Sequence, residues 1–239
     1  DYVESLKQVY DAEYYRINVL GEFGDYTSGL VVKGFSEDNI QTISYQPGMP
    51  LHISCDFNVG TMMWVLAHRT ADKVFYFDEV VLEDVTTEDT IQEVIRRYPN
   101  HKGQIIINGD AAGQFRSTQS ERDNYVIMRN ALRRHYPNTD IKLHIRRGNP
   151  PIKRRIAGFN AMVKDYNGNR RIYVDRRCKW LLYNIYNLKY KRGTDIIDLP
   201  SPQKIKDNND DRFLMHIFDA ASYLTEYYYP LRMESNVVE

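Results

Sequence analysis

The chain has 239 residues, 42% of them hydrophobic, and no net charge, with 32 Lys+Arg against 32 Asp+Glu. That length fits one large domain, or one domain with an appendage, and can bury a substantial core. Two cysteines, Cys55 and Cys178, exclude a disulfide framework and a Cys-rich zinc site and favour a reducing, intracellular setting. No apolar run approaches the ~20 residues of a membrane span and no signal peptide is visible. The chain opens on Asp1 rather than Met and so reads as a fragment of something longer. No Gly-Lys-[Ser/Thr] occurs, which removes the phosphate-loop ATPases.

The zero average hides a segregation. From Lys142 to Arg192 there are 15 Lys+Arg against two acids, Asp165 and Asp175, so a +13 segment sits inside a −13 remainder. Such polarity suits one surface built for a polyanion and another that holds cations or basic partners.

In chain order, residues 1–20 read as a helix, with Val3, Leu6, Val9, Tyr10, Tyr14 and Ile17 at helical spacing. Gly21 and Gly24 end it, short extended pieces follow, and Pro47-Gly48-Met49-Pro50 makes a turn. Three strand-like runs, 51–57, 61–68 and 73–82, are joined by links too short for anything but antiparallel pairing. Thr86 or Thr87 is placed to cap a helix over 88–98. Gln104 to Asp110 holds a continuous apolar run, Ile105-Ile106-Ile107, the mark of a central parallel strand. A helix over 120–135, a strand over 141–146, a basic helix over 152–165 opened by Pro150-Pro151, and an extended piece at 171–174 follow. Asp175 is placed to cap a helix over 176–188, a hairpin or loop fills 189–208, and a helix over 210–228 ends at Pro230, before a tail that reads as disordered from Glu234. A three-strand meander followed by parallel crossovers predicts an α/β protein with a ribonuclease-H-like, mixed five-stranded central sheet flanked by helices.

That order makes the first and fourth strands parallel neighbours, each ending in an acid, Asp56 and Asp110. His216 and Asp219, three residues apart, share one face of the last helix. A lone Asp in an apolar strand such as Leu51–Phe57 is costly to bury without a positive partner. Three carboxylates held together repel, and hard divalent cations, Mg²⁺ or Mn²⁺, resolve the repulsion. Two such ions roughly 3.5–4 Å apart activate a water and stabilise the leaving oxygen of a phosphodiester. The expected roles are Asp56 bridging the metals, Asp110 and Asp219 on one metal each, and His216 as a ligand or as the group that orients the water. Asp78, Asp210 and Asp211 stand as accessory ligand candidates but read rather as surface or capping residues.

The same residues resemble the C-terminal nuclease region of phage large terminases. The likeness is carried by Tyr15 to Phe23, by Cys55-Asp56-Phe57-Asn58, by Asn149-Pro150-Pro151 through Arg155 and Asn160 with Arg176-Arg177-Cys178-Lys179, and by His216-Ile217-Phe218-Asp219-Ala220. It implies a ribonuclease-H-like nuclease that cuts concatemeric viral DNA by two metals. It places Asp56, Asp110 and Asp219 on the metal positions, and His216 on an additional site position. It further implies a division into 1–29, a helix and linker from the end of an ATPase region, and 30–239, the nuclease domain. The implied partners are the ATPase region of the same subunit, the portal and the small terminase subunit, in host bacterial cytoplasm and transiently at the procapsid portal.

Duplex DNA binds mainly through phosphate neutralisation. The candidates are Arg146, Arg147, Lys153, Arg154, Arg155, Arg170, Arg171, Arg176, Arg177 and Lys179, with Lys191 and Arg192 in a loop placed to gate entry. No base-reading motif is present, so low sequence preference is expected. Two rival functions fit the same residues: a junction resolvase or transposase-type nuclease, and a non-catalytic module that docks on DNA or the portal.

Overall fold

A computed structural model of the chain describes residues 6–7, 9–12, 15–16, 29–58, 60–114, 123–207 and 209–231. Six strands form one mixed sheet: β1 (Leu51–Phe57), β2 (Thr61–Arg69), β3 (Val74–Glu83), β4 (Ile105–Gly109), β5 (Ile141–Leu143) and β6 (Ile172–Val174), in the spatial order β5-β4-β1-β2-β3-β6. The meander β1–β3 is antiparallel; β4 pairs parallel with β1 and β5 parallel with β4. The expected five-stranded order is present. The short extended piece at 172–174 adds a sixth strand, parallel to β3 and held by Val74–Tyr76.

Among the described residues six α-helices can be bounded around the sheet: α1 (Thr87–Arg97), α2 (Asn124–His135), α3 (Ile152–Val163), α4 (Lys179–Asn187), α5 (Pro202–Asp207) and α6 (His216–Tyr228). The Thr86 hydroxyl accepts from the Asp89 amide while the Asp89 carboxylate reaches back to Thr86, which starts α1 by a capping box. Asp175 does not cap α4, contrary to expectation: its carboxylate accepts from Ile43 N and Arg177 N, and α4 begins only at Lys179. Glu79, from β3, accepts from Trp180 N and Leu181 N and satisfies the first turn of α4 across the sheet. The last helix starts at His216 rather than 210, after a 3₁₀ turn at Asn209–Phe213.

Two cores lie on the two faces of the sheet. Ile53, Cys55, Trp64, Leu66, Ile105 and Ile107 pack against Ile91 and Val94 of α1 and Met128 and Leu132 of α2. On the other face Met63, Val65, Tyr76 and Val174 pack against Phe159 of α3, Leu181 of α4 and Phe218 of α6. The N-terminal helix expected over 1–20 lies partly outside the described residues. Its described part docks on α3, with Tyr10 and Tyr15 buried beside Ala161 and Leu231. The Glu234 tail also lies outside the described residues. None of the described helices is long and apolar enough to cross a membrane.

Candidate active site

β1, β4 and β5 run parallel, so their C-terminal ends share one edge of the sheet. Cys55 pairs with Gly109, and Asp110 N donates to Cys55 O at 3.1 Å, which sets Asp110 beside Asp56. Gly109 makes the approach possible. Its φ is +142°, and a Cβ there would lie 2.3 Å from Cys55 O.

Asp56 is 5% exposed. Its Oδ2 accepts a short hydrogen bond from Asn58 Nδ2 and lies 3.2 Å from His216 Nδ1. The Asp56 hydrogen bond raises the His216 pKa above the ordinary imidazole value, against the opposing effect of burial. Asp110 Oδ1 accepts from Ala112 N and from Asn149 Nδ2, at 2.8 and 2.5 Å, and Asn149 Oδ1 accepts from Ala111 N. The Asn-Pro-Pro turn thus clamps the loop that carries Asp110.

Asp219 descends from α6. Burial pushes its pKa up to about 6; the Arg155 charge opposes this, and the Asp56 charge adds to it. Its Oδ1 is paired with Arg155 Nη1, which also donates to Ser222 Oγ at 2.6 Å. The phase of α6 is set by a kink. Met215 has φ +83°, uncommon for a residue with a side chain, and it immediately precedes His216. Buried Asn184 fixes the kink by accepting from Met215 N at 2.7 Å and donating to Phe213 O at 3.1 Å.

The structure therefore gathers Asp56, His216 and Asp219 under α6, with Asp110 on the neighbouring strand end. Their hard oxygen donors suit Mg²⁺ or Mn²⁺. The arrangement as it stands does not grip an ion: among the described residues no three His, Cys, Asp or Glu side chains converge closely enough to hold one. Each carboxylate is instead occupied by a partner of its own.

The basic residues divide. Arg146, Arg147, Lys153 and Arg154 follow β5 or open α3, on the carboxylate edge. Buried Glu226 holds Arg146 at 2.6 Å and Arg154 at 3.1 Å, and Arg147 is exposed. The hairpin closed by Tyr190 and Ile197 carries exposed Lys191 and Arg192, and Lys153 ties it to α3 through Asp195. Arg176, Arg177 and Lys179 are exposed beyond β6, three strands or roughly 15 Å from β1.

Three of the expected phosphate contacts, Arg155, Arg170 and Arg171, have partners within the fold. Arg155 is buried and spent on Asp219. Arg170 and Arg171 precede β6, which runs parallel to β1, and so sit at the opposite edge of the sheet. There Arg170 donates to Gly34 O and Asn39 Oδ1, and Arg171 to Ala161 O. A basic count along the chain cannot separate cations that neutralise a ligand from those that tie the fold.

Asn58, Asn149 and Ser222 are site neighbours to which the sequence assigned no role. Asn58 and Asn149 lie inside the stretches that carry the terminase likeness, which was the available signal. Nothing in the sequence marked Ser222.

Mixed sheet order, helices on both faces and acids at adjacent parallel strand ends define the class: an α/β protein of ribonuclease-H-like architecture. More narrowly, the chain has the fold of phage large-terminase nuclease domains. The nuclease domain of the bacteriophage P22 large terminase matches 84% of this chain and 99% of that domain, with TM-score 0.52 and 11% identity. The large terminase of a thermophilic bacteriophage matches 94% of this chain and 51% of its own, with TM-score 0.62 and 13% identity. The complex of that same terminase with ADP gives TM-score 0.62 at 14% identity. The chain thus spans about half the length of the thermophilic phage protein. No protein-family model and no curated protein matches the chain.

Proposed function

We propose that the chain is the nuclease part of a phage large terminase, a metal-dependent endonuclease that cuts double-stranded viral DNA during genome packaging. One observation carries the reading: Asp56 and Asp110 end adjacent parallel strands beneath a helix that delivers His216 and Asp219, on a fold shared with a terminase nuclease domain. Asp56, Asp110 and Asp219 are the residues that would hold Mg²⁺ or Mn²⁺, with two ions expected. When bound, the ions would supply positive charge and an activated water at a phosphodiester.

The chain's own residues supply the rest. Arg146, Arg147 and Arg154 stand on the carboxylate edge, where they can neutralise phosphates and bring the backbone to the acids. Glu226 orients two of them. The Asp56 carboxylate holds the His216 imidazole toward the site from the start of α6. The division at residue 29, and the ATPase region, portal and small subunit as partners, belong to this same proposal.

Supercoiled plasmid incubated with the protein and Mn²⁺ or Mg²⁺ tests it. Nicking that EDTA stops and Asp56→Ala abolishes is the expected result. Wild-type protein that leaves the plasmid intact, or an Asp56→Ala variant that cuts equally well, overturns it. Preferential cleavage of four-way junctions over linear duplex would move the function to junction resolution. Salt-sensitive binding indifferent to EDTA, without cutting, would make it a docking module.

A further inference from the structure

Arg155 is out of place for a DNA-contacting arginine. It is 5% exposed, and every contact it makes faces inward. Its Nη1 donates to Asp219 Oδ1 and to Ser222 Oγ, its Nε lies 3.3 Å from Pro150 O, and its guanidinium carbon stands 4.2 Å from the centre of the Tyr223 ring. A buried guanidinium must be paired, and so must a buried carboxylate. Here each answers the other, inside a cluster whose remaining acids carry like charge.

We propose that Arg155 is a built-in competitor for the divalent cation: it neutralises Asp219 in the metal-free protein, and Asp219 must leave it before an ion can be gripped. The inference rests on the nuclease reading and assigns that site its regulation. It accounts for a cluster with the right donors that does not close around an ion as it stands. Three of Arg155's partners, Pro150 O, Ser222 Oγ and the Tyr223 face, do not depend on the Asp219 carboxylate. Arg155 therefore keeps hydrogen bonds and a cation–π contact when Asp219 moves away, so the exchange leaves no bare charge. A fixed positive charge beside the donors also repels an incoming cation. The site is held weak for metal for as long as Asp219 stays in the pair.

Calorimetric titration of the 239-residue protein with MnCl₂, together with its unfolding temperature with and without Mn²⁺, tests this without reference to cutting. Arg155→Gln should bind Mn²⁺ roughly tenfold or more tightly than wild type, because a like charge has been removed from the site. Its metal-free unfolding temperature should fall while its Mn²⁺-induced rise grows. Arg155→Lys, which keeps the charge, should stay near wild type in affinity. A folded Arg155→Gln variant whose Mn²⁺ affinity is unchanged or weaker overturns the proposal. Should that variant not fold, the wild-type Arg155 Nε–Hε resonance answers instead. It should shift in step with Mg²⁺ saturation, and a resonance that stays still overturns the proposal. Asp56→Asn separates the two failures. Metal binding that is lost in Asp56→Asn yet indifferent to Arg155→Gln sinks only the competition, whereas wild-type protein that binds no Mn²⁺ sinks the nuclease reading with it.

Discussion

β1 and β4 present two different chemistries to the two helix layers. Toward α1 and α2 they offer Leu51, Ile53, Cys55, Ile105 and Ile107, all buried in one apolar cluster. Toward α6 they offer His52, Ser54, Asp56 and Asn108, equally buried. Each polar group there has a named partner: His52 lies 3.3 Å from Asn108, Ser54 Oγ donates to Ala220 O at 2.6 Å, and Asn108 donates to His144 O. The strand period of two sorts the residues, and the helix layers decide what each half does. The apolar half fixes the backbone of β1 so that the polar half can present a carboxylate without letting it move. Burial alone therefore does not distinguish a core from a site; the partners do.

The comparison can be broken from either side. The largest expected effect is on function: Asp56→Asn should lower plasmid nicking roughly a hundredfold or more, since the lost charge stabilisation amounts to several kcal/mol. Its circular dichroism should stay native, because the change lies on the face that does not hold the strand. Ile53→Ala, one face over, should do the reverse. It should cost about 2–5 kcal/mol in urea unfolding through the cavity it leaves, with cutting retained wherever the protein is folded. Loss of activity at full stability in Ile53→Ala would erase the division.

A third expectation concerns Glu79, which faces α4 on the polar side. Burial pushes its pKa from the usual carboxylate range up to about 7, although Trp180 N and Leu181 N favour the charged form. The folded state then keeps a proton that the unfolded chain releases near its ordinary value of 4.5. Stability from this group is full below that pH, falls as pH rises toward 7, and is flat beyond. The loss is about 3 kcal/mol at most. Urea midpoints at pH 5 and 8 should differ in wild type and converge in Glu79→Gln; an unchanged slope in the variant would place its origin elsewhere. Smallest is Ser54→Ala, which removes one buried hydrogen bond to α6 and should cost about 1 kcal/mol in the same unfolding assay.

Much of the fold was legible because its signals are local. The short links of the meander, the apolar run before Asn108 and the Thr86 cap each act within a few residues. The acids at 56 and 110 could be paired because parallel neighbours ending at the same edge follow from strand order alone. What the chain could not reveal depends on contacts between distant segments. β6 has three residues and becomes a strand only because Val74–Tyr76 lies open beside it. The cap of α4 comes from Glu79, about a hundred positions earlier, a distance no local motif spans. Arg155 and Arg154 are identical letters in adjacent positions; one is buried on Asp219 and the other reaches Glu226 with its side chain 39% exposed. Only the packing of α3 on α6 tells them apart.

The left-handed Met215 works as a timing mark for the last helix. An α-helix advances about 100° per residue, so a start one position earlier or later would carry His216 and Asp219 a quarter-turn or more around the axis. Asp219 would then no longer face Arg155, nor His216 face Asp56. Asn184 holds that mark from α4, a helix that supplies none of the candidate catalytic groups. The angular setting of the carboxylate cluster is thus kept by an amide on a different helix, and α4 and α6 cannot slip past one another without detuning the site.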